Sequence, residues 1–303
     1  MKKIWKKGQR YKLLIHVFFV VTSLCFILPL IMVVSISLSS ERAVTGEGYS
    51  LFPREFTTDA YKLAFADSDQ MLSAYAVTAS QALIGTFGVL VVAGMVAYSL
   101  SRSNFAYKKQ VTFIVFFTML FSGGSIPLYI VTTQYYHLGN NFLVYILPGL
   151  SGGAFNTLML RTFFKGIPES LFESAKLDGA SEFKIFRSIA VPLSKPVLAT
   201  VGFMVLVGKW NNWYDTMVYI RDENLYTLQY LLQRILNEAA FIKAMSSGAM
   251  GVVDIDILSL AKDQPVETLR YAMCVIAAGP MLIVFPLFQK YFVKGTTIGA
   301  VKG

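Results

Sequence analysis

Three stretches of the chain contain no Asp, Glu, Lys or Arg: residues 13–40, 70–101 and 110–160. About 20 apolar residues in a helix cross a hydrocarbon core of roughly 30 Å, so each stretch is long enough for one crossing and the third is long enough for two. The chain is 55% hydrophobic and 15% charged, whereas a soluble domain carries about 25% charged residues. We therefore predict an all-α, polytopic membrane protein in the cell membrane.

Polar and helix-breaking residues divide these stretches into crossings. The Gly-Asn-Asn break at 139–141 splits the longest stretch, and two more apolar runs follow it. We predict six transmembrane helices at residues 13–38, 72–100, 111–133, 142–164, 196–219 and 271–291. Glycine pairs at 123–124 and 152–153, with Pro127, should kink or unwind the third and fourth spans. Cys25 and Cys274 fall inside spans, and we expect both to be buried apolar side chains rather than a disulfide or metal pair.

The basic residues indicate the orientation of the chain. With the N-terminus inside, the cytoplasmic segments carry 18 Lys or Arg against four Asp or Glu, and the opposite side carries 8 against 13. Because Lys and Arg concentrate in cytoplasmic loops, both termini are predicted to be cytoplasmic. This distribution accounts for the net charge of +9, and no nucleic-acid partner is expected. The predicted organisation is a basic N-terminal segment at 1–12, the first span at 13–38, an extracytoplasmic segment at 39–71, a five-span core at 72–292 with a cytoplasmic loop at 165–195 and an extracytoplasmic loop at 220–270, and a cytoplasmic tail at 293–303.

The segment ESAKLDGASEFKIFRSIAVPLSKP, residues 173–196, is polar although apolar spans flank it. Pro168 suits the first turn of a helix, Gly179 can end that helix, Ser181 can cap a second one and Pro192 should end it. Apolar residues recur at helical spacing in the second helix, at Phe183, Phe186, Ile189 and Ala190. The pattern predicts a compact helix–turn–helix. Such a segment either lies on the lipid headgroups or docks into a groove on a partner protein, and its Asp-Gly corner and proline-bounded exit favour docking.

The spacing of this segment resembles the EAA loop of the permease subunits of ABC importers, in which EAA, three residues, Gly, nine residues and I-x-L-P follow one another. The matching residues here are Glu173-Ser174-Ala175, Gly179 and Ile189-Ala190-Val191-Pro192, with Ser174 and Val191 in place of the usual Ala and Leu. The DGAS corner, the PLSKP exit and the C-terminal QKYFVKGTTIGAVKG are similar to the maltose-type, MalG-like sugar permeases. FSGGSIPLYI (121–130) and LMLRTFFKGIPESL (158–171) resemble the LplC/YtcP-like branch, which is associated with complex oligosaccharides.

The resemblance implies the type I permease fold of ABC importers, and a subunit that couples ATPase closure to alternating access through this loop. Glu173 would pair with a basic side chain of the ATPase, Gly179 would set the corner, and Phe183 and Phe186 would be apolar anchors. The coupling residues that the resemblance implies are Glu173, Ser174, Ala175, Asp178, Gly179, Ala180, Phe183, Phe186, Ile189 and Pro192. It also implies a second permease chain, as a heterodimer with a homodimer as the alternative, two ATPase subunits, an extracytoplasmic solute-binding protein and a carbohydrate, most simply an oligosaccharide, as substrate.

Motifs that the chain lacks bear on its chemistry. No G-x-x-x-x-G-K-[ST] phosphate loop occurs, so ATP and magnesium would be used by a separate ATPase, and this chain is expected to be no enzyme and to bind no cofactor or metal. An ion-coupled secondary carrier is one alternative, although it needs ionisable groups near the midplane and Lys209 falls in the outer third of its span. A rhomboid-like intramembrane protease using Ser151 of GLSGG is the other, although the last span carries no histidine.

Aromatic and amide side chains suggest where a sugar would pass. Aromatic rings suit the C–H faces of a sugar and amides suit its hydroxyls, but Trp and Tyr also form the aromatic belts at membrane interfaces. The candidates are Trp210, Asn211, Trp213 and Tyr214 near the outer end of span 5, with Asn156 in span 4 and Gln81 in span 2. We expect Trp210, Trp213 and Tyr214 to share one side of a helix, while Asn156 and Gln81 would alternatively form interhelical hydrogen bonds. The loop 220–270, with a tip near 248–253, resembles in position and length the loop that enters the solute-binding protein.

Overall fold

The computed structural model describes residues 2–246 and 265–299, with side chains for residues 11–245 and 265–291. The tip predicted at 248–253 lies outside this part of the chain. Over the described ranges the chain is helical, and its one antiparallel bridge, between Ser39 and Phe56, is isolated. The helices are α1 Lys2–Ser37, α2 Glu41–Glu47, α3 Asp59–Ala64, α4 Ser68–Ser101, α5 Lys108–Leu120, α6 Ser125–Ile130, α7 Gly153–Lys165, α8 Glu169–Leu177, α9 Glu182–Ile185, α10 Val191–Leu193, α11 Lys195–Trp210, α12 Tyr214–Tyr219, α13 Leu228–Ser246 and α14 Val266–Gly299.

One compact unit consists of residues 1–68 and 232–279. Ser40 begins α2 as its N-cap, because its hydroxyl accepts a hydrogen bond from the backbone N–H of Ala43 at 3.1 Å. The adjacent Glu41 carboxylate reaches the start of α14, where it accepts hydrogen bonds from the backbone N–H groups of Glu267 at 3.1 Å and Thr268 at 3.0 Å. An anionic side chain at the start of a helix is favoured by the unpaired N–H groups and by the helix dipole.

The second compact unit consists of residues 69–231 and 280–303. Its main core lies where α4, α7, α8, α9 and α11 meet. The buried side chains of this core are Val89, Ala93, Ala97, Tyr98, Leu160, Phe164, Ile167, Phe172, Ile185, Ala190, Val197 and Val201. The small residues on α4 allow close approach of its neighbours, as is common between transmembrane helices.

Among the residues that the structure describes, three helices are long and apolar enough to cross a membrane: Tyr11–Ser37, Ser68–Ser101 and Val266–Tyr291. Two bent helix pairs, Lys108–Leu120 with Ser125–Tyr135 and Glu182–Leu193 with Lys195–Trp210, would raise the number of spans to five. The first pair bends by 114° at the predicted glycine break, where Gly124 has a φ of 87°. The count of six spans and the inward orientation of both termini stay predictions.

The predicted fourth span, 142–164, is interrupted at the glycine pair 152–153, as predicted, and its first half is not an α-helix. A 3₁₀ turn at Phe142–Tyr145 is followed by turns, and α7 starts only at Gly153. Gly152 and Gly153 both have positive φ values, of 71° and 74°, a backbone region that glycine enters at little cost. The 13 residues of α7 extend about 20 Å at 1.5 Å per residue, which is too short for a whole crossing.

The two cysteines correct a further expectation. Cys25 and Cys274 are free, as predicted, but both are exposed on the surface of the chain rather than buried. Each lies on a helix that is apolar enough to cross a membrane, so a thiol on the outer surface of such a helix is a small apolar side chain available to lipid.

Candidate functional site

Residues 169–193 form a short helical hairpin, as the capping and turn residues predict. Helix α8 ends at Leu177, and Gly179 turns the chain with a φ of 75°. The N–H of Ala180 donates to the carbonyl of Ala175 at 2.9 Å, which closes the corner. Ser181 then caps α9 by accepting a hydrogen bond from the N–H of Lys184.

The sequence predicts that the second arm of the hairpin ends at Pro192, but in the structure the arm continues to Leu193. After α9 the backbone widens into a π-helical turn at Phe186–Ala190, and α10 continues through Pro192 to Leu193. Proline lacks the N–H of a regular helix, and a π turn directly before it accommodates the altered hydrogen bonding. The arm ends at Ser194, after which α11 starts at Lys195 with Pro196 in its first turn, close to the predicted start of the fifth span.

The base of the hairpin is packed into the core of the second unit. Phe172 of α8 and Ile185 of α9 are buried with Phe164 of α7. The Phe186 ring lies 5.3 Å from the ring of Tyr98 on α4 and 6.4 Å from that of Phe164. Of the two predicted aromatic anchors, Phe186 thus packs against its own chain, which leaves less of its ring for a partner. Its anchor role stays a prediction.

Ion pairs and hydrogen bonds also hold the base. The Lys176 ammonium lies 2.7 Å from the Glu182 carboxylate, which pairs the end of α8 with the start of α9. The Arg102 guanidinium, after the end of α4, lies 3.3 Å from the Glu169 carboxylate and 3.6 Å from the centre of the Phe172 ring. Arginine commonly combines a carboxylate with an aromatic face in this way. The hairpin is therefore fixed to α4 by charge as well as by packing.

The tip of the hairpin presents apolar side chains to the outside. Leu177 is 90% exposed and Phe183 is 64% exposed, one on each arm beside the corner. The Glu173 and Asp178 side chains are exposed on the same hairpin. Our sequence reasoning missed Leu177, because it lies among the three unspecified residues of the EAA spacing. No local signal separates it from a packed leucine, because its exposure follows from Phe172, on the same helix, facing the core instead.

The outer end of the fifth span departs from the predicted continuous helix. Helix α11 ends at Trp210, residues 211–213 are not helical, and α12 starts at Tyr214. The amide of Asn211 turns back to the carbonyl of Val207 at 3.0 Å. Trp210 is buried, whereas Trp213 and Tyr214 are 44% and 43% exposed. The three aromatic side chains therefore do not form one exposed face. Trp213 and Tyr214 stay candidates for sugar contact.

The two polar candidates within the spans make local or interhelical hydrogen bonds. The Gln81 amide is fully buried and donates to the carbonyl of Lys209 at 2.9 Å, which links α4 to α11. The Asn156 amide donates to the carbonyl of Gly152 at 2.7 Å, four residues earlier, so its hydrogen bond is local to its own helix and does not join two helices. The Lys209 ammonium donates to the carbonyl of Tyr145 at 2.7 Å. For Gln81 the geometry favours the interhelical alternative.

Ser151, the nucleophile of the alternative protease reading, lies in an exposed turn before α7. Within the described parts of the chain, no group of three or more His, Cys, Asp or Glu side chains is placed to hold a metal ion.

Comparison with known proteins gives relatives along the whole chain. A solved chain from a bacterial ABC transporter involved in the import of the acidic polysaccharide alginate matches with a TM-score of 0.75 and 29% identity, over 94% of this chain and 97% of that chain. The polygalacturonan/rhamnogalacturonan transport system permease protein YtcP of Bacillus subtilis (strain 168) is 34% identical over 98% of this chain and 100% of its own length.

Two further relatives extend this similarity. The protein LplC of Bacillus subtilis (strain 168) is 34% identical over 91% of this chain and 90% of its own length. The maltose/maltodextrin transport system permease protein MalG of Escherichia coli (strain K12) is 26% identical over the full length of both chains. The family model for the inner membrane component of binding-protein-dependent transport systems matches residues 90–298, which include the 169–193 hairpin. The chain belongs to the family of inner membrane components of binding-protein-dependent transport systems.

Proposed function

We propose that this chain is a transmembrane permease subunit of an ATP-driven, binding-protein-dependent ABC importer for an oligosaccharide. The substrate class is supported by the transport systems to which its relatives belong, which include those for maltodextrin, polygalacturonan/rhamnogalacturonan and alginate. Both neutral and acidic carbohydrates occur among them. The chain would work with a second, different permease subunit, two ATPase subunits and an extracytoplasmic solute-binding protein, with ATP and magnesium bound by the ATPases.

The observation that carries this proposal is the division of the 169–193 hairpin into a buried base and an exposed tip. Phe172 and Ile185 are each 1% exposed at the base, while Leu177 is 90% exposed at the tip. Large exposed apolar side chains beside charged ones are typical of a docking surface, where a few anchors supply most of the binding energy. We infer that Leu177 and Phe183 insert into a cleft of the ATPase, with Glu173 paired to a basic side chain there.

The same hairpin can transmit motion because its base shares a core with three helices. Phe172 and Ile185 pack with buried residues of α4, α7 and α11. Closely packed cores are not continuously deformable, so a displacement of the tip moves the attached helices together. In our proposal, closure of the two ATPases pulls the tip, and this movement changes the side of the membrane to which the translocation path opens.

The experiment compares tip variants with a matched surface variant in the assembled transporter. We expect the Leu177→Ala/Phe183→Ala double variant to lose ATPase co-purification, because truncating an apolar anchor costs about 2 kcal/mol or more, roughly a 30-fold loss of affinity per anchor. Tyr107→Ala removes another exposed aromatic ring, 66% exposed on the loop between α4 and α5, and should leave co-purification unchanged.

Uptake measurements then test the transport function and its substrate. Vesicles with the solute-binding protein should accumulate an oligosaccharide in an ATP-dependent manner, and a panel of neutral and uronate-containing oligosaccharides identifies the class. We expect Gly179→Val to abolish uptake, because a β-branched residue is strained at positive φ. Normal ATPase retention and normal uptake by both the Leu177/Phe183 and the Gly179 variants would overturn the coupling role. Uptake driven by an ion gradient without ATP would identify the carrier instead.

A further inference from the structure

An open cleft between α5 and α7 has no part in the proposed transport mechanism. Its volume is about 430 Å³, and it is lined by Lys108, Lys109, Thr112, Phe113, Phe116 and Arg161. The two lysines begin α5, and the two phenylalanines follow about 6 to 12 Å further along the helix at 1.5 Å per residue. The cleft is therefore cationic toward the start of α5 and aromatic beyond it.

The positive charge around this cleft is not balanced. The cations Lys165, Arg161 and Arg102 lie near enough to Lys108 to repel it, and within the described residues Glu169 is the one carboxylate near enough to attract it. Glu169 is already paired with Arg102 at 3.3 Å. The Lys108 ammonium donates to the carbonyl of Arg102 and Arg161 Nε donates to the carbonyl of Leu100. These carbonyls orient the side chains without neutralising their charge, so the site attracts an anion.

The aromatic part of the cleft is open to the surroundings of the helix. No residue of α5 is buried, and Phe113 and Phe116 are 67% and 45% exposed. Helix α5 is the first half of a bent pair that is long and apolar enough to cross a membrane. A ligand for this cleft therefore needs a negative head at the level of Lys108 and a hydrocarbon part alongside Phe113.

We propose that the α5–α7 cleft is a binding site for one anionic phospholipid. The phosphate binds Lys109 and Arg161, and an acyl chain lies along Phe113 and Phe116. Basic pockets between transmembrane helices bind anionic headgroups in this way. The excess of Lys and Arg in cytoplasmic loops would by itself place cations at the end of a span. That rule requires neither a cleft nor an aromatic wall beside the cations, and it does not favour retention of a single lipid.

The test uses the purified, complete transporter, stripped of lipid and titrated with phosphatidylglycerol or with phosphatidylcholine of the same acyl chains. Native mass spectrometry counts the bound lipids. We expect one phosphatidylglycerol to bind more tightly than phosphatidylcholine. Each cation near a headgroup contributes roughly a fivefold increase in affinity, so Lys109→Gln should lower the affinity about fivefold and Lys109→Gln/Arg161→Gln about 25-fold. Lys12→Gln, which removes an exposed cation from α1, should leave the affinity unchanged.

Three outcomes would overturn the proposal. In the first case, the Lys109→Gln variant binds phosphatidylglycerol as tightly as the unchanged chain. This variant should fold normally, because the Lys109 side chain is exposed. Alternatively, inorganic phosphate would displace the lipid with equal potency, which would identify a small-anion site. In the third case, the photoreactive residue p-benzoylphenylalanine placed at position 113 would cross-link another subunit of the transporter instead of a phospholipid, which would show that protein covers the cleft.

Discussion

The hydroxyl of Tyr98, on α4, donates a 2.8 Å hydrogen bond to the Glu182 carboxylate at the start of α9. The two residues are 84 positions apart in the chain, and the bond joins the longest helix of the second unit directly to the second arm of the hairpin. The Tyr98 ring is also surrounded by the rings of Phe164, Phe172 and Phe186, at 6.2, 6.2 and 5.3 Å. Tyr98 is thus the residue at which the packing and the polar contacts of the hairpin base meet.

Removing this one hydroxyl should loosen the hairpin without disturbing the aromatic packing. Tyr98→Phe keeps the ring, and because Glu182 is half exposed and keeps Lys176 as a partner, we expect a loss of only about 0.5–1.5 kcal/mol in stability. If the hairpin transmits ATPase closure as we propose, less of that movement should reach α4 in the variant, so transport coupling should fall although the fold is retained. The measurement is the ratio of ATP hydrolysed to sugar imported, which should rise.

Tyr107→Phe is the control for this prediction, since it removes a hydroxyl from an exposed ring outside the hairpin. It should change neither the thermal midpoint nor the coupling ratio. If Tyr98→Phe left the ratio at the level of the control, the hydrogen bond to Glu182 would be structural only.

Local signals made the hairpin predictable from sequence. Gly179 and Ser181 fix a turn and a cap through their own backbone and side chain, and the structure has both where the pattern placed them. What the sequence could not supply is the inward side of each short helix. Phe186 and Leu177 are both apolar residues next to charged ones, and only the position of α4 and α7 decides that the first is packed and the second is exposed.

The same limit explains the errors within the spans. The break at Gly152 and Gly153 in the predicted fourth span is signalled by the glycine pair, and both residues have positive φ. Hydropathy, which reports only that residues 142–164 are apolar, does not indicate that residues 146–152 are turns instead of helix. Likewise, the prediction that Trp210, Trp213 and Tyr214 share one side of a helix requires that the helix be unbroken. In the structure the helix stops after Trp210, where the Asn211 amide binds the carbonyl of Val207. Breaks of this kind depend on backbone groups that find partners in the fold.

The glycine pair at the start of α7, Gly152 and Gly153, allows backbone strain to be separated from side-chain overpacking. A Cβ added at Gly152 would lie 2.6 Å from Val89 Cγ1, whereas one added at Gly153 would meet nothing within 4 Å, although both residues have positive φ. Gly153→Ala should therefore cost only the backbone strain of about 1 kcal/mol. Gly152→Ala should cost about 1–3 kcal/mol more from overpacking against α4. Thermal midpoints of the two purified variants check this, and equal midpoints would contradict it.

Gln81 distinguishes a structural role from contact with sugar. Its amide N–H donates to the carbonyl of Lys209, while its buried Oε1 has no hydrogen-bond partner within the described parts of the chain. Gln81→Leu removes one hydrogen bond but also removes an unpaired acceptor, and the two effects nearly offset each other. We expect a stability change below about 1 kcal/mol and an unchanged KM for uptake.

Trp213→Ala is the matched comparison for Gln81→Leu, because the Trp213 side chain is exposed. It should raise the KM if aromatic rings at the outer end of α11 contact the sugar. A KM that rises for Gln81→Leu and not for Trp213→Ala would place the sugar path within the spans instead.

Glu41 makes the first unit sensitive to acid. Burial acts to raise the pKa of its carboxyl, but the hydrogen bonds from Thr268, Lys243 and Glu267 together outweigh burial and leave the pKa below the ordinary value of 4.5. A carboxylate with a lowered pKa stabilises the fold above its unfolded-state pKa, and this contribution is lost as the pH falls through the folded-state value. Protonation would turn one of the two acceptor oxygens that bind the start of α14 into a hydroxyl and would remove the negative charge from both hydrogen bonds.

The Glu41→Gln variant tests this contribution. A neutral amide offers one acceptor where the carboxylate offers two and places its own N–H groups against backbone donors, so we expect a loss of about 1.5–3 kcal/mol at pH 7. The gap in apparent thermal midpoint between the unchanged chain and the variant should narrow below pH 4.5, as the carboxylate becomes protonated. Glu47→Gln, which breaks an exposed ion pair with Arg54, should show a small gap at every pH. A gap for Glu41→Gln that stays constant from pH 7 to pH 3 would mean that the side chain acts through packing and that its charge does not hold α14.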